Sequence, residues 1–304
     1  MSVKAMRHSQ LSVSLQIFRQ PPRGGWSTFR NVNLDPCAYM GNYSGMTIAS
    51  LLEPVTGQSG TAHLTHANEW MQGRTLYGGA SALVAFTIAQ RAFPDLPPLR
   101  AAQIGFVAPV GKDIELSAEI LRQGRNVTQV RTEIHSEGKL ALTAFWLFAA
   151  EREPNAMRSA DAPVAWPGAP ADNPAAMKGQ GPAFIQNNFE LRYGQTKGDD
   201  HGATVRRWAR LIEEHELDPV SKLVLMGDVM PPGAMRIMPR VGPISSINWS
   251  FNVLDPNTQS EGGWYLAENA SQHADAGYSS ERLRMWDANG KQVLDGIQCV
   301  AIFG

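Results

Sequence analysis

The chain has 304 residues, enough for two domains of ordinary size, and its 43% hydrophobic and 18% charged residues are typical of a globular protein. The formal net charge is -1 and no folded segment concentrates the basic residues, which argues against nucleic-acid binding. Two cysteines, Cys37 and Cys299, are too few for a disulfide framework or a zinc site, and no apolar run reaches the roughly 18 residues of a membrane span; we therefore expect a cytoplasmic protein outside the membrane.

Residues 1–45 differ in composition from the rest of the chain. They carry Lys4, Arg7, Arg19, Arg23 and Arg30 against one acid, Asp35, and show no sustained hydrophobic period. A disordered extension, or a start codon assigned upstream of Met46, is the favoured interpretation. An organelle transit peptide is the alternative, although no clear amphipathic helix supports it.

The first half, residues 46–150, begins with a short helix over Thr47–Leu52. A longer helix over Ala80–Phe93 is apolar almost all round, so we expect it to be buried, and Pro94 ends it. Two-residue alternation and apolar runs then predict four strands: Arg100–Val110, Ile114–Gln123, Asn126–Ser136 and Leu140–Ala149.

A linker over residues 151–182 holds six prolines and separates the first half from the second half, residues 183–304. Asp218-Pro219 is a favourable start for a helix over Val220–Met226. The remaining segments of the second half are strand-like: Phe184–Tyr193, Thr204–Ile212, Ser245–Pro256, Trp264–Ala276, Ser280–Asp287 and Gln292–Phe303.

Each half is therefore a helix followed by a run of antiparallel strands, which indicates an internal duplication of an α+β unit. Even the hairpin tips correspond, at 136–139 and 287–291. Either half alone would expose a sheet edge and an apolar face, so we expect the two halves to pack together.

Several short motifs from Met46 to the C-terminus resemble those of one enzyme family. They are Leu76-Tyr77-Gly78-Gly79, Gly227-Asp228 with Pro231-Pro232, Ser246–Phe251, Gly277-Tyr278-Ser279, Leu283–Asp287 with Gly290, and Gln298. Their order and spacing resemble the acyl-CoA thioesterase II (TesB-like) family. The resemblance implies a double hot-dog fold, hydrolysis of an acyl-CoA without metal or cofactor, and a homo-oligomer that associates through outer sheet faces or edges.

In that family an Asp, a Thr or Ser, and a Gln hold the attacking water, and these map to Asp228, Ser246 and Gln298. Ser246 stands where Thr is usual, and Ser245 leaves the register open by one residue. Asn248 stands where Asp is common, and we expect Asn248 and Trp249 to contact the substrate.

The site residues can also be interpreted without the family. Asp228 follows an apolar helix, which would raise its pKa and make it a better base, although an acid there could instead face solvent. Gln298 is an amide on an apolar strand face and needs a partner, which could equally be a backbone group. Gly78 and Gly79 precede the buried helix and would suit an oxyanion or substrate carbonyl, with close packing as the alternative.

The leading hypothesis is therefore an acyl-CoA thioesterase. A non-catalytic acyl-CoA binder is the alternative, motivated by the departures at Ser246 and Asn248. An enoyl-CoA hydratase is less supported, because Asp218-Pro219-Val220-Ser221 lacks the Asn and His of that motif. The seven histidines show no metal-ligand spacing, so no metal site is expected.

Overall fold

The computed structural model describes residues 47–159, 166–176, 181–195, 202–213, 217–240 and 242–303. The predicted extension over residues 1–45 lies outside the described residues. Among the helices that are described, none is both long and apolar enough to cross a membrane.

The described residues form four α-helices, thirteen strands and several 3-10 turns. The helices are α1 (Ile48–Leu52), α2 (Gly78–Ala92), α3 (Ala183–Asn188) and α4 (Pro219–Met226). The strands of the first half are β1 (Gly60–His63), β2 (Met71–Gln72), β3 (Thr75–Leu76), β4 (Leu99–Phe106), β5 (Asp113–Gln123), β6 (Val127–Ser136) and β7 (Lys139–Ala149). Those of the second half are β8 (Phe189–Tyr193), β9 (Thr204–Leu211), β10 (Ile244–Val253), β11 (Tyr265–Asp275), β12 (Tyr278–Asp287) and β13 (Gln292–Ile302).

Eleven of these strands form one antiparallel sheet, in the order β1-β5-β6-β7-β4-β10-β13-β12-β11-β9-β8. The two halves meet where β4 pairs with β10, with Ile104 opposite Trp249. Each half would otherwise leave this strand edge unpaired, so the pairing satisfies the backbone groups of both halves at once.

Helices α2 and α4 pack against each other on one face of the sheet, which we call the inner face; it carries Trp249 and Gln298. The helices run antiparallel, because Gly78 at the start of α2 lies against Asp228 just after α4, while Gln90 Nε2 lies 3.5 Å from Asp218 Oδ2 at the start of α4. Asp218 caps α4 as expected, since its Oδ1 accepts from the Ser221 amide at 3.0 Å.

The opposite, outer face carries a second apolar cluster in the second half, composed of Trp208, Trp264, Leu266 and Trp286 with Trp166 packed against them. Trp166 belongs to the linker, and its ring meets that of Trp208 edge-on at a centroid distance of 5.3 Å. At Trp166 the linker thus lies on the sheet and covers apolar surface there.

One predicted element is wrong. Residues Phe184–Tyr193 were expected to form a single strand, but α3 covers Ala183–Asn188 and β8 begins only at Phe189. The helical turn buries Phe184 against Tyr77, whose ring stacks on it at 4.5 Å, so tertiary packing outweighs local strand propensity.

We expect Trp166→Ala to lower the free energy of unfolding by about 1–3 kcal/mol, because the half-buried ring loses its contact with Trp208. Chemical denaturation followed by tryptophan fluorescence and circular dichroism measures the change. Met157→Ala is the matched control, since Met157 lies in the same linker and is 87% exposed. Equal stability of both variants would show that the linker does not contribute to the fold.

Candidate active site

Asp228 and Gln298 come together at the end of α4. Gly227 caps the helix and Asp228 follows it, while Gln298 projects from the inner face of β13. Gln298 Nε2 donates to Asp228 Oδ1 at 2.8 Å. From the sequence alone, the partner of Gln298 could be a backbone group or a functional side chain. Its partner is the candidate base Asp228, 70 residues away in the chain.

The surroundings of Asp228 change its ionisation. Burial among protein atoms raises the pKa of Asp228 to about 7, while the Gln298 hydrogen bond opposes that rise. Asp228 is half-buried, so some of its surface remains accessible to water. A carboxylate with a pKa close to neutrality and access to water is suited to general-base catalysis.

Gly78 and Gly79 allow the start of α2 to approach Asp228 and α4 closely. A Cβ at Gly78 would lie 2.2 Å from Asp228 Oδ2, and one at Gly79 would lie 2.1 Å from the Leu225 carbonyl oxygen. The first amides of a helix lack intrahelical acceptors and mark the positive end of its dipole. The glycines thus permit close packing of α2 against α4, and a role of their amides in binding an oxyanion stays a prediction.

Tyr77 lies beside the candidate site and contacts α4, which its local sequence did not predict. Its hydroxyl donates to the Leu225 carbonyl near the end of α4, and burial together with the nearby Asp228 raises the pKa of Tyr77 well above its ordinary value of 10. Tyr77 therefore stays a neutral donor that ties α2 to α4. Its position directly before Gly78-Gly79 was the available signal.

Trp249 lies beneath the site. It is fully buried, opposite Gln298 in the sheet, and a Cβ at Gly227 would lie 2.5 Å from its ring. The ring therefore packs against the C-terminal end of α4. Its predicted contact with substrate stays a prediction.

A β-bulge decides which serine shares the face of Gln298. The register of β10 shifts between Ser246 and Asn248, so that Ser246 pairs with Val300 and Trp249 with Gln298. Because Val300 and Gln298 lie on one face of β13, Ser246 is on the inner face and the exposed Ser245 is on the outer face. Among the described residues, Ser246 has no hydrogen bond to Asp228 or Gln298.

The same bulge places Asn248 on the outer face. Asn248 is exposed, and its Oδ1 accepts from the Cys299 amide at 2.9 Å, replacing a strand bond that the bulge disrupts. The group around Asp228 does not include this side chain. Substrate contact by Asn248 stays a prediction without support from its position.

The arrangement can polarise a water molecule and stabilise negative charge, using a carboxylate, an amide and helix N-terminal N–H groups. Within the residues described, no three His, Cys, Asp or Glu side chains are placed to hold a metal ion. The chemistry that these protein groups offer by themselves is acid–base catalysis.

Comparisons with known proteins identify the family. The model of the acyl-CoA thioesterase N-terminal domain matches residues 66–149, and that of the acyl-CoA thioesterase C-terminal domain matches residues 159–302. No curated protein matched.

Solved structures with the same fold share few identical residues with this chain. A putative thioesterase II from Thermobifida fusca is 17% identical, with a TM-score of 0.72 over 87% of this chain and 100% of that one. A hot-dog protein of unknown function from Alicyclobacillus acidocaldarius is 19% identical, with a TM-score of 0.70 over 82% and 97%. A putative thioesterase from Novosphingobium aromaticivorans is 21% identical, with a TM-score of 0.67 over 81% and 96%.

The predicted α+β double hot-dog fold is thus confirmed, and the two family matches together span most of the sequence. The chain belongs to the acyl-CoA thioesterase family and is a thioester hydrolase.

Proposed function

We propose that the chain hydrolyses an acyl-CoA to the free acid and CoA, with Asp228 as general base. The observation that carries the proposal is the Asp228–Gln298 hydrogen bond at a carboxylate whose pKa burial raises to about 7. Asp228 removes a proton from a water molecule while the oxygen of that water forms a bond to the thioester carbon. The C–S bond then breaks, and the proton passes from Asp228 to the departing thiolate.

The remaining groups bind and orient the reactants. The first amides of α2, at Gly78 and Gly79, face the negative oxygen of the tetrahedral intermediate. Gln298 holds both the carboxylate and the water, and Ser246, on the same inner face, contacts the water from β10. The position of Ser246 in the bulged register supports this role.

We expect Asp228→Asn to reduce kcat by about 10²–10⁴-fold with little change in KM, because the amide keeps the shape but cannot accept the proton. Release of free thiol from short-, medium- and long-chain acyl-CoAs measures the rate. Retention of most of the rate would eliminate Asp228 as base. CoA-ester binding without turnover in both wild type and variant would instead favour the non-catalytic binder.

Thermal unfolding tests whether the loss of activity in Asp228→Asn arises from misfolding. The pKa of Asp228 is raised in the folded protein, so its contribution to stability declines as pH rises from its unfolded pKa of about 4 through 7. Asn resembles the neutral acid at every pH. Asp228→Asn should therefore melt above wild type at pH 8, and the difference should shrink towards pH 4.

We expect wild-type activity to rise with pH through about 7 and to be lost below it, because the base must be ionised. Gln298→Ala removes the hydrogen bond that lowers the pKa of Asp228, so the midpoint should move to higher pH and kcat should fall by about 10-fold, less than for Asp228→Asn. A pH–rate profile measures both. An unchanged midpoint in Gln298→Ala would contradict the coupling of the two side chains.

We also propose that two copies associate through the outer face. At the centre of this face, four residues lie opposite one another on adjacent strands: Phe145, Gln103, Ser250 and Ile297. Phe145 is 45% exposed and Ile297 is 62% exposed. We expect light scattering to give a mass above the monomer, and Ile297→Glu to shift it towards the monomer. A strictly monomeric wild type at micromolar concentration would refute this.

A further inference from the structure

Glu281 is a carboxylate enclosed in the inner face of β12. It has no exposed surface, and in the strand register it lies opposite Gln298 of β13. Its neighbour on the same face of the strand is Leu283, which belongs to the core. A charged group in such surroundings is costly unless hydrogen bonds compensate it, so its partners indicate why it is tolerated.

Those partners belong to the chain segment that follows Asp228. The Gly233 amide donates to Glu281 Oε2 at 2.8 Å, and the Ala234 amide donates to Oε1 at 3.2 Å. Ser279 Oγ donates to Oε1 at 2.6 Å and itself lies 2.7 Å from Ser271 Oγ. The carboxylate therefore binds two backbone amides of one short turn, supported by a hydroxyl pair on β11 and β12.

The segment of residues 228–233 connects Asp228 to the turn that Glu281 binds. Helix α4 ends at Met226, and no helix or strand follows until the turn over Gly233–Arg236. On the helix side the Val229 amide donates to the Met226 carbonyl at 3.1 Å. On the far side Gly233 lies against β11 so closely that a Cβ there would be 2.7 Å from the Ser271 nitrogen.

Two side chains that lie opposite each other on neighbouring strands, Gln298 and Glu281, thus contact the two ends of the segment between Asp228 and Gly233. Gln298 binds the Asp228 side chain, and Glu281, beside it in the register, binds the amides at Gly233 and Ala234. We propose that Glu281 is a positioning residue of the hydrolase: by holding the turn at Gly233, it keeps Asp228 within hydrogen-bonding distance of Gln298. This inference rests on the proposed role of Asp228.

The chain offers a matched control in Glu268, another fully enclosed acid of the same half. Glu268 lies on the outer face, where Arg206 Nε and Arg284 Nε donate to it at 2.8 and 3.0 Å. Its partners are cations on neighbouring strands, and it makes no hydrogen bond to the described residues 229–240. Glu268→Gln therefore perturbs a buried carboxylate without touching the segment of Asp228.

The experiment compares Glu281→Gln, Ser279→Ala and Glu268→Gln with wild type. In Glu281→Gln one backbone amide loses its acceptor, so we expect kcat to fall by about 10-fold with KM unchanged and the pH midpoint to move upwards as the Gln298 bond lengthens. Ser279→Ala should give a smaller change in the same direction. Glu268→Gln is expected to lower the melting temperature while kcat and the pH midpoint stay at the wild-type values.

Two readouts do not depend on turnover. Hydrogen exchange of residues 229–240 should accelerate in Glu281→Gln and stay unchanged in Glu268→Gln, and a ¹³C titration should show a higher pKa for Asp228 in Glu281→Gln alone. If wild type releases no thiol from any acyl-CoA, the proposed function fails and these two readouts decide the positioning role. Wild-type exchange and an unaltered Asp228 titration in Glu281→Gln would overturn the inference.

Discussion

The pairing of β4 with β10 is the contact on which the other features depend. It joins the two halves into one sheet, and the helix of each half then covers a shared inner face. With the strands antiparallel across this junction, α2 and α4 also run antiparallel, so the start of one helix meets the end of the other. The site at Asp228 exists because of that meeting, since neither half contains both the free amides of α2 and the acid.

Aromatic packing makes a second contact between the two halves, away from the β4–β10 pairing. Tyr77 stacks on Phe184 of α3, and Phe189 of β8 meets both Tyr77 and Trp70 edge-on. These rings connect the segment before α2 to the start of the second half. Movement of α3 would therefore reach Tyr77 directly, and through its hydroxyl the end of α4.

The ionisation of Asp228 is the result of opposing influences. Burial favours the neutral acid, whereas the hydrogen bond from Gln298 favours the carboxylate. The result lies near neutrality, where a base can both accept and return a proton. A raised pKa of this kind reduces stability at high pH, so burial of Asp228 in its ionised form is a cost to the folded state.

Buried acids on the two faces of the second half have different surroundings. Glu268 sits between two guanidinium groups on the outer face, so its charge is paired within the sheet. Glu281 binds amides and a hydroxyl on the inner face, so its bonds reach out of the sheet to a turn. Charge pairing and backbone anchoring therefore occupy opposite sides of β11 and β12.

The sequence by itself determined the duplication, the buried helix at α2, the cap at Asp218 and nearly all strands, because hydrophobic period, prolines and capping residues act locally. The family motifs also selected Asp228 and Gln298 as candidate site residues, and the structure brings these two side chains into contact. The sequence left open which partner Gln298 takes, which serine shares its face, and where Asn248 points. It also missed α3, the hydrogen bond from Tyr77 to α4 and the contacts of Glu281 with the turn at Gly233. Tertiary structure decided these points, because a one-residue bulge reverses the face of every side chain beyond it, and because contacts between residues up to 148 positions apart have no local signal.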